Sequence, residues 1–343
     1  MAAQKEIHVF RTKKSAFDKY VRYPAELAGV VILCGFLRIL PLDWASALGG
    51  FIGRHIGPRM RVSWVARYNL MKAFPEKTPV EIDAIVVRMW DNLGRTFAEY
   101  PHLRFLSTHY EKRVEFMRPE LFRQLRDDGM PGIFFSAHIG NWEVSSISAN
   151  MLGIPFHRIY RFSNNPLVEW LFRYYRQKIP GELLPKGTSG MRRVVELMNR
   201  EGHLALLVDQ KMNDGIEAPF FGYPAMTTPA LARLALKYGC PVLPVRSRRS
   251  GGAHFQLLPD DLLTFRKTGN IAEDTRRFTA ETNRILERWI RDDPAQWLWV
   301  HKRWPDSNMG SIRLYADRHL WKKGIKPPEL FAEAISGRRN EEA

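Results

Sequence analysis

Short apolar runs recur between residues 131 and 260 of this chain, and each leads into a stretch with helical spacing. Ile133-Phe134-Phe135, behind Pro131-Gly132, predicts a buried strand; Val144, Ile147, Ser148 and Met151 predict one face of a helix that stops at Gly153. Residues 156–160 predict a second strand. Asn164-Asn165-Pro166 then turns the chain into an aromatic helix containing Trp170, Leu171, Tyr174 and Tyr175. Residues 182–184 read as a third short strand, and Met191, Val194, Val195 and Met198 as a helix ahead of Gly202. Residues 203–208 form an apolar strand that delivers Asp209 and Gln210. Thr228-Pro229 reads as an N-cap and first-turn proline, opening a helix with Leu231, Leu234, Ala235 and Tyr238 inward and Gly239 as its stop. Strands at 242–245 and 255–258 follow, and an amphipathic helix on Phe278, Thr282, Ile285, Leu286 and Trp289 ends the series.

Alternation of this kind predicts an α/β fold, a mostly parallel sheet flanked by helices. Sites in such sheets lie beyond the carboxyl ends of the strands. His138, Arg161 and Asp209 each fall just past a predicted strand end, so parallel strands would bring all three to one edge. Upstream, 63–106 is helical in pattern, with Thr78 capping a helix on Ile82, Ile85, Val86 and Met89, and 114–126 reads as a strand-like entry and a short helix.

The N-terminal pattern differs. Residues 27–37 are apolar without a break, about 16 Å of helix against roughly 30 Å of hydrocarbon. Arg38, Pro41 and Asp43 interrupt, and 42–56 resumes with Trp44, Gly49, Gly50 and Gly53. A buried core helix and a membrane-associated segment both fit; Trp44 and the flanking Arg54, Arg59 and Arg61 suit an interface. A single span would place residues 1–22, with six Lys and Arg, outside, against the tendency of basic residues to stay inside. The expected organisation is therefore a basic segment at 1–22, a membrane-associated helical hairpin or span at 23–57, an α/β domain at 58–305 and a basic tail at 306–343, loosely ordered past 336. No cleavable signal peptide and no internal repeat are evident.

Charge narrows the partners. Lys and Arg number 52 against 36 Asp and Glu, a formal excess of 16, which suits nucleic acid, an anionic membrane, or an acidic protein or phosphorylated substrate. The two cysteines, Cys34 and Cys240, sit in apolar surroundings and form no disulfide framework. No cluster at metal-ligand spacing appears, so neither metal nor cofactor is expected.

Candidate chemistry centres on Gly132 to Glu143. His138 stands where the strand ends, Gly140 permits a tight turn, and Asn141 is a good N-cap. On a continuous helix His138 and Glu143 would lie about 140° apart; a strand–turn–helix corner can fold the carboxylate back to the imidazole, making His138 a general base. Of ten histidines only one other, His301, has an acid five residues on, Asp306, and that pair lacks the glycine turn. A structural histidine fits the spacing too. Neither a Gly-x-Ser-x-Gly elbow nor a partnered cysteine supplies a nucleophile, so no covalent enzyme intermediate is expected.

Ser-Ala-His-Ile-Gly-Asn-Trp-Glu resembles the His-x4-Asp/Glu motif of the glycerolipid acyltransferase superfamily, and more closely that of the bacterial late acyltransferases of lipid A biosynthesis, lauroyl/myristoyl type. The resemblance extends to Tyr160-Arg161-Phe162-Ser163-Asn164-Asn165-Pro166, Asp209-Gln210, Pro219-Phe220-Phe221-Gly222 with Thr227-Thr228, and the block from Gln296 to Trp304. It departs at Phe162 and Ser163, where relatives often have Pro and Asn. It implies His138 and Glu143 as the catalytic pair, and Arg161, Asn164, Asn165, Asp209, Gln210 and Thr228 as substrate-binding. Arg161 would bind a phosphate or steady an oxyanion; an ion pair with Asp209 fits it as well. Phe220, Phe221 and the Trp170 helix are candidates for an acyl slot or plain core. Arg192-Arg193 and Arg246 with Arg248-Arg249 are candidate basic patches or solvated faces. The implied donor is acyl-acyl carrier protein and the implied acceptor a phosphorylated, acylated glucosamine disaccharide, at the cytoplasmic face of the inner membrane, with no nucleic acid. Two other readings remain: transfer to a different glycolipid or a lysophospholipid, and a non-catalytic basic protein that binds membrane or nucleic acid.

Overall fold

The computed structural model describes residues 15–151, 153–154, 156–160, 163, 165–176, 179, 181–265 and 267–336. Helices come first: α1 (Tyr23–Ile39), α2 (Leu42–Ile56), α3 (Ser63–Ala73), α4 (Pro79–Glu99) and α5 (Leu103–Thr108). Alternation then begins with β1 (Val114–Phe116), α6 (Pro119–Asp127), β2 (Gly132–Ser136), α7 (Trp142–Met151), β3 (Phe156–Tyr160), α8 (Pro166–Arg176), β4 (Leu183–Pro185), α9 (Thr188–Met198) and β5 (His203–Leu207). A hairpin of β6 (Ile216–Phe220) and β7 (Tyr223–Thr227) precedes α10 (Ala230–Tyr238), β8 (Val242–Gly251), β9 (His254–Pro259) and α11 (Ile271–Asp292); α12 (Ser307–Ala316), α13 (Arg318–Lys322) and α14 (Pro328–Ser336) close the described chain.

Seven strands form one sheet in the order β1-β9-β8-β2-β5-β3-β4. β8, β2, β5, β3 and β4 run parallel, β9 is antiparallel to β8, and β1 is parallel to β9. The mostly parallel α/β expectation therefore holds. The central strand β2 is buried along its whole length: Ile133 and Phe135 join one core with α3, α10 and α11, while Phe134 joins another with α6 and α7. Burial on both faces explains why it reads as a continuous apolar run rather than an alternating one.

Local signals account for most element boundaries. Thr78 and Glu81 form a capping box at the start of α4, with Pro79 in the first turn. At α10 the start lies one residue later than Thr228-Pro229 suggests: Pro229 occupies the cap position, and Thr228 Oγ1 accepts the Ala230 amide at 3.3 Å. Gly239 ends that helix in the left-handed region, φ +62°.

Two regions are packed more closely onto the body than their sequence pattern suggests. α2 lies along α4. Its inner stripe of Leu42, Ala45, Ser46, Gly49, Gly50 and Gly53 is buried, and an added Cβ at Gly49 or Gly53 would stand 2.4 Å from the Gly94 carbonyl or 2.1 Å from the Trp90 carbonyl. α2 and α4 meet backbone to backbone. The segment after residue 305, expected as a polar tail, instead folds onto α3. Asp306 accepts from Tyr68 at 2.8 Å and Lys72 at 2.6 Å, Trp321 donates to Asp83, and Leu314, Trp321 and Leu330 are buried. Its charges line the outer faces of short helices, which hides the apolar stripe from a composition reading.

Candidate active site at the carboxyl edge of the sheet

Past β2 the chain makes a sharp corner. Gly140 sits at φ +59°, and a Cβ there would meet the Ser247 carbonyl at 2.2 Å, so only glycine fits. The corner is fixed from both flanks. Gly140 N donates to the Gln296 carbonyl (3.0 Å), Leu298 N to the His138 carbonyl (3.1 Å), and Asn92 Nδ2 to the Gly140 carbonyl (2.9 Å). Asn141 then caps α7, its Oδ1 accepting the Glu143 amide at 3.1 Å while its Nδ2 donates to the buried Glu99.

β5 lies beside β2 in parallel register, Ser136 opposite Leu207, and the next residues face each other across the edge. Asp209 is fully buried and makes three contacts there. Oδ1 lies 2.9 Å from His138 Nδ1, and Oδ2 accepts the His138 backbone amide at 3.0 Å and the Trp297 indole N–H at 2.8 Å. An ionised carboxylate only accepts, so the ring proton belongs on Nδ1 and the Nε2 lone pair faces outward. Gln210 Nε2 is 3.4 Å from that Nε2, and Trp142 packs edge-on against the imidazole with centroids 5.1 Å apart. Burial alone would raise the Asp209 carboxyl, but His138 and His301 hold it well below the usual carboxylate range. His301 stacks edge-on with Trp297 at 5.1 Å; desolvation pushes its imidazole down to about 4 against the opposing pull of Asp209, so it is neutral at pH 7.

The carboxylate on His138 is thus Asp209, whereas the motif spacing pointed to Glu143. Glu143 is buried in the first turn of α7 and faces the other way. Arg176 at the end of α8 grips it with Nε at 3.1 and 3.2 Å and a terminal nitrogen at 2.5 Å, and Tyr100 donates to it at 2.5 Å. Burial would raise this carboxyl too, yet Arg176 and Tyr100 bring it below its ordinary value. Glu143 therefore ties α7, α8 and the turn after α4 into one unit behind the histidine.

The other expected residues divide. His138, Asp209 and Gln210 come together. Asn165 is buried: its Oδ1 caps α8 and its Nδ2 donates to the Tyr23 carbonyl and to Glu26 on α1. Thr228 serves the start of α10. Arg161 and Asn164 lie outside the described residues. Phe220 and Phe221 are core, packed with Trp297, Trp299 and Trp304 rather than lining a slot, while Trp170 is exposed on α8. The basic patches resolve mostly into pairs, Arg193 with Glu182 and Glu196, Arg246 with Asp292, and Arg249 buried against Glu99, while Arg192 is exposed on α9. In the sequence Trp142 and Trp297 stand out only as members of motif blocks, and His301 only through its spacing to Asp306; the fold places all three around the His138–Asp209 pair. The buried tryptophan was findable in principle, since an indole N–H out of water must reach an acceptor. His301 does not pair with Asp306, which Tyr68 and Lys72 engage. Among the described residues no group of three or more His, Cys, Asp or Glu could hold a metal ion.

Residues 14–306 match the family model described as bacterial lipid A biosynthesis acyltransferase. A Haemophilus influenzae lipid A biosynthesis acyltransferase is 23% identical over 272 residues, 77% of this chain and 82% of that protein. The Escherichia coli K12 lipid A biosynthesis palmitoleoyltransferase is 24% identical over 288 residues, 80% of this chain and 90% of its own, and the lauroyltransferase of the same organism is 24% identical over 248 residues, 70% and 78%.

Proposed function

Because the chain belongs to the bacterial lipid A biosynthesis acyltransferase family, we propose that it moves a fatty acyl group from an acyl carrier protein thioester to a hydroxyl of a phosphorylated lipid A precursor, with His138 as general base and Asp209 as its orienting carboxylate. The observation that carries this reading is the His138–Asp209–Trp297 array at the carboxyl edge of the sheet.

The chemistry follows from the tautomer. Nε2 of His138 takes the proton of the acceptor hydroxyl as its oxygen adds to the thioester carbonyl. Asp209 steadies the imidazolium so formed without itself taking a proton, as the carboxylate of a hydrolase triad does. Collapse of the tetrahedral adduct breaks the C–S bond, and the imidazolium returns the proton to the departing thiolate. Gln210, an exposed amide beside Nε2, is placed to meet a reacting oxygen once substrate displaces it. The excess of 16 positive charges supports an acidic carrier as donor and a phosphorylated acceptor, and the same balance favours the cytoplasmic leaflet of the inner membrane as the place of work.

Mass spectrometry of lipid A tests the assignment. A strain lacking this gene should accumulate a precursor short of one acyl chain; the wild-type gene should restore the chain and His138→Ala should not. Unchanged lipid A on deletion, or restoration by His138→Ala, would sink it.

A further inference from the structure

The helix formed by residues 18–39 is long and apolar enough to cross a bilayer by length and composition, but its contacts describe another placement. Tyr23, Leu27, Val30, Cys34 and Leu37 recur at alternating steps of four and three, one stripe along the whole of α1. Tyr23, Cys34 and Leu37 are buried and Leu27 and Val30 half-buried. This stripe rests on α8, α2 and the turn at Tyr100–His102. Polar bonds fasten both ends to the body. Near its start, Asn165 holds the Tyr23 carbonyl (3.1 Å) and Glu26 (2.8 Å). Near its end, His102 Nε2 is 2.9 Å from the Leu37 carbonyl and Arg38 donates to the Pro101 carbonyl at 2.8 Å.

Between positions 27 and 37 the rest of α1 faces outward and is apolar. Ala25, Ala28, Val31, Ile32, Leu33, Phe36 and Ile39 are exposed, Ile32 at 72% and Ile39 at 83%, with no charged side chain among positions 27–37. Adjoining elements extend this surface with Trp44, Phe51, Ile52 and Ile56 on α2, and Leu167, Trp170 and Tyr174 on α8. Arg22, Arg38, Arg59, Arg61 and Arg173 are exposed around it, the complement of an anionic headgroup layer.

We infer that α1 lies in the plane of one leaflet, clamped lengthwise to the catalytic body, and that α1, α2 and α8 present one continuous face to the acyl-chain layer of an anionic bilayer. An upright span would carry its neighbours with it. Arg173, exposed on α8 beside this face, would then stand at hydrocarbon depth at a cost of a few kcal/mol. Lying flat, the helix leaves it at headgroup level. α8 touches α1 on one side and holds Glu143 on the other, so the lipid face is one helix away from the His138 corner. On the reading that His138 is the base, a lipid acceptor reaches it sideways, without leaving its leaflet.

The test needs no turnover, so its failure and failure of the acyl-transfer reading are separable. With Cys34 and Cys240 replaced by Ala, Ala25→Cys, Ile32→Cys and Ile39→Cys are labelled one at a time with a depth-reporting fluorophore. The purified protein is inserted into phosphatidylethanolamine–phosphatidylglycerol vesicles carrying lipids brominated at defined depths. Three equal depths within one leaflet are expected. Ile32 deep with Ala25 and Ile39 shallow would mean an upright span, and quenching at none would mean that something other than lipid, such as a second copy of the chain, covers the face; either overturns the inference. In cells with a permeabilised outer membrane, Ser15→Cys should resist an impermeant thiol reagent until the inner membrane is broken, and labelling before that also overturns it.

Discussion

At the scale of residues, two carboxylates near one histidine have different tasks. Asp209 touches the imidazole, while Glu143 is spent on Arg176 and Tyr100. Asp209→Asn leaves shape nearly unchanged but removes the acceptor that holds the Nδ1 proton, so kcat is expected to fall by roughly two to four orders of magnitude with little loss of stability. Glu143→Gln strands a buried guanidinium and should cost about 3 kcal/mol or more of stability, read as a lower Tm and denaturation midpoint, with activity of the surviving fold reduced far less than in Asp209→Asn. Purified variants assayed for kcat beside denaturant unfolding separate the two. Equal stability with a greater loss of kcat in Glu143→Gln would return the orienting role to Glu143.

At the scale of elements, glycine spacing decides what α2 is. Gly49, Gly53 and Gly94 let two helix backbones approach until a single Cβ would collide with a carbonyl oxygen, whereas Gly29 and Gly35 on α1 have nothing within 4 Å of an added Cβ. Opposite signs are expected. Gly53→Ala forces α2 from α4 and should destabilise by about 1–3 kcal/mol; Gly29→Ala meets open space and should be neutral or stabilising by up to about 1 kcal/mol through helix propensity. Thermal unfolding in detergent checks the pair, and a destabilising Gly29→Ala would mean that α1 is packed on its outward face as well.

At the scale of the whole molecule, the positive excess acts over distance rather than through any one patch, because the arginine clusters that stand out in sequence are mostly paired. If an acidic carrier brings the donor, kcat/KM should fall steeply as ionic strength rises, through slower encounter, while kcat changes little. Acyl-coenzyme A, lacking the carrier surface, should be a poor substitute. Equal use of both donors with no salt effect would remove the carrier from the reaction.

The linear chain by itself determined the strand–helix alternation, the parallel sheet, the corner at Gly140 and the strand-end positions of His138 and Asp209, because each depends on periodicity or on the backbone freedom of one residue. It also carried the family resemblance in blocks such as 136–143 and 296–304. Only the tertiary structure decided which carboxylate serves His138. Glu143 and Asp209 lie 5 and 71 positions away, and sequence distance favours the nearer, but register between β2 and β5 brings the farther one into contact while Arg176 and Tyr100 draw the nearer away. The same holds for Trp297 and His301 beside the site, for the helices after residue 306 that cover α3, and for α1. Hydropathy counts apolar residues without regard to direction, so it could mark α1 as apolar; the contacts at Tyr23 and Arg38 set how it lies against the rest of the fold, because they are made by groups 60 or more positions away along the chain.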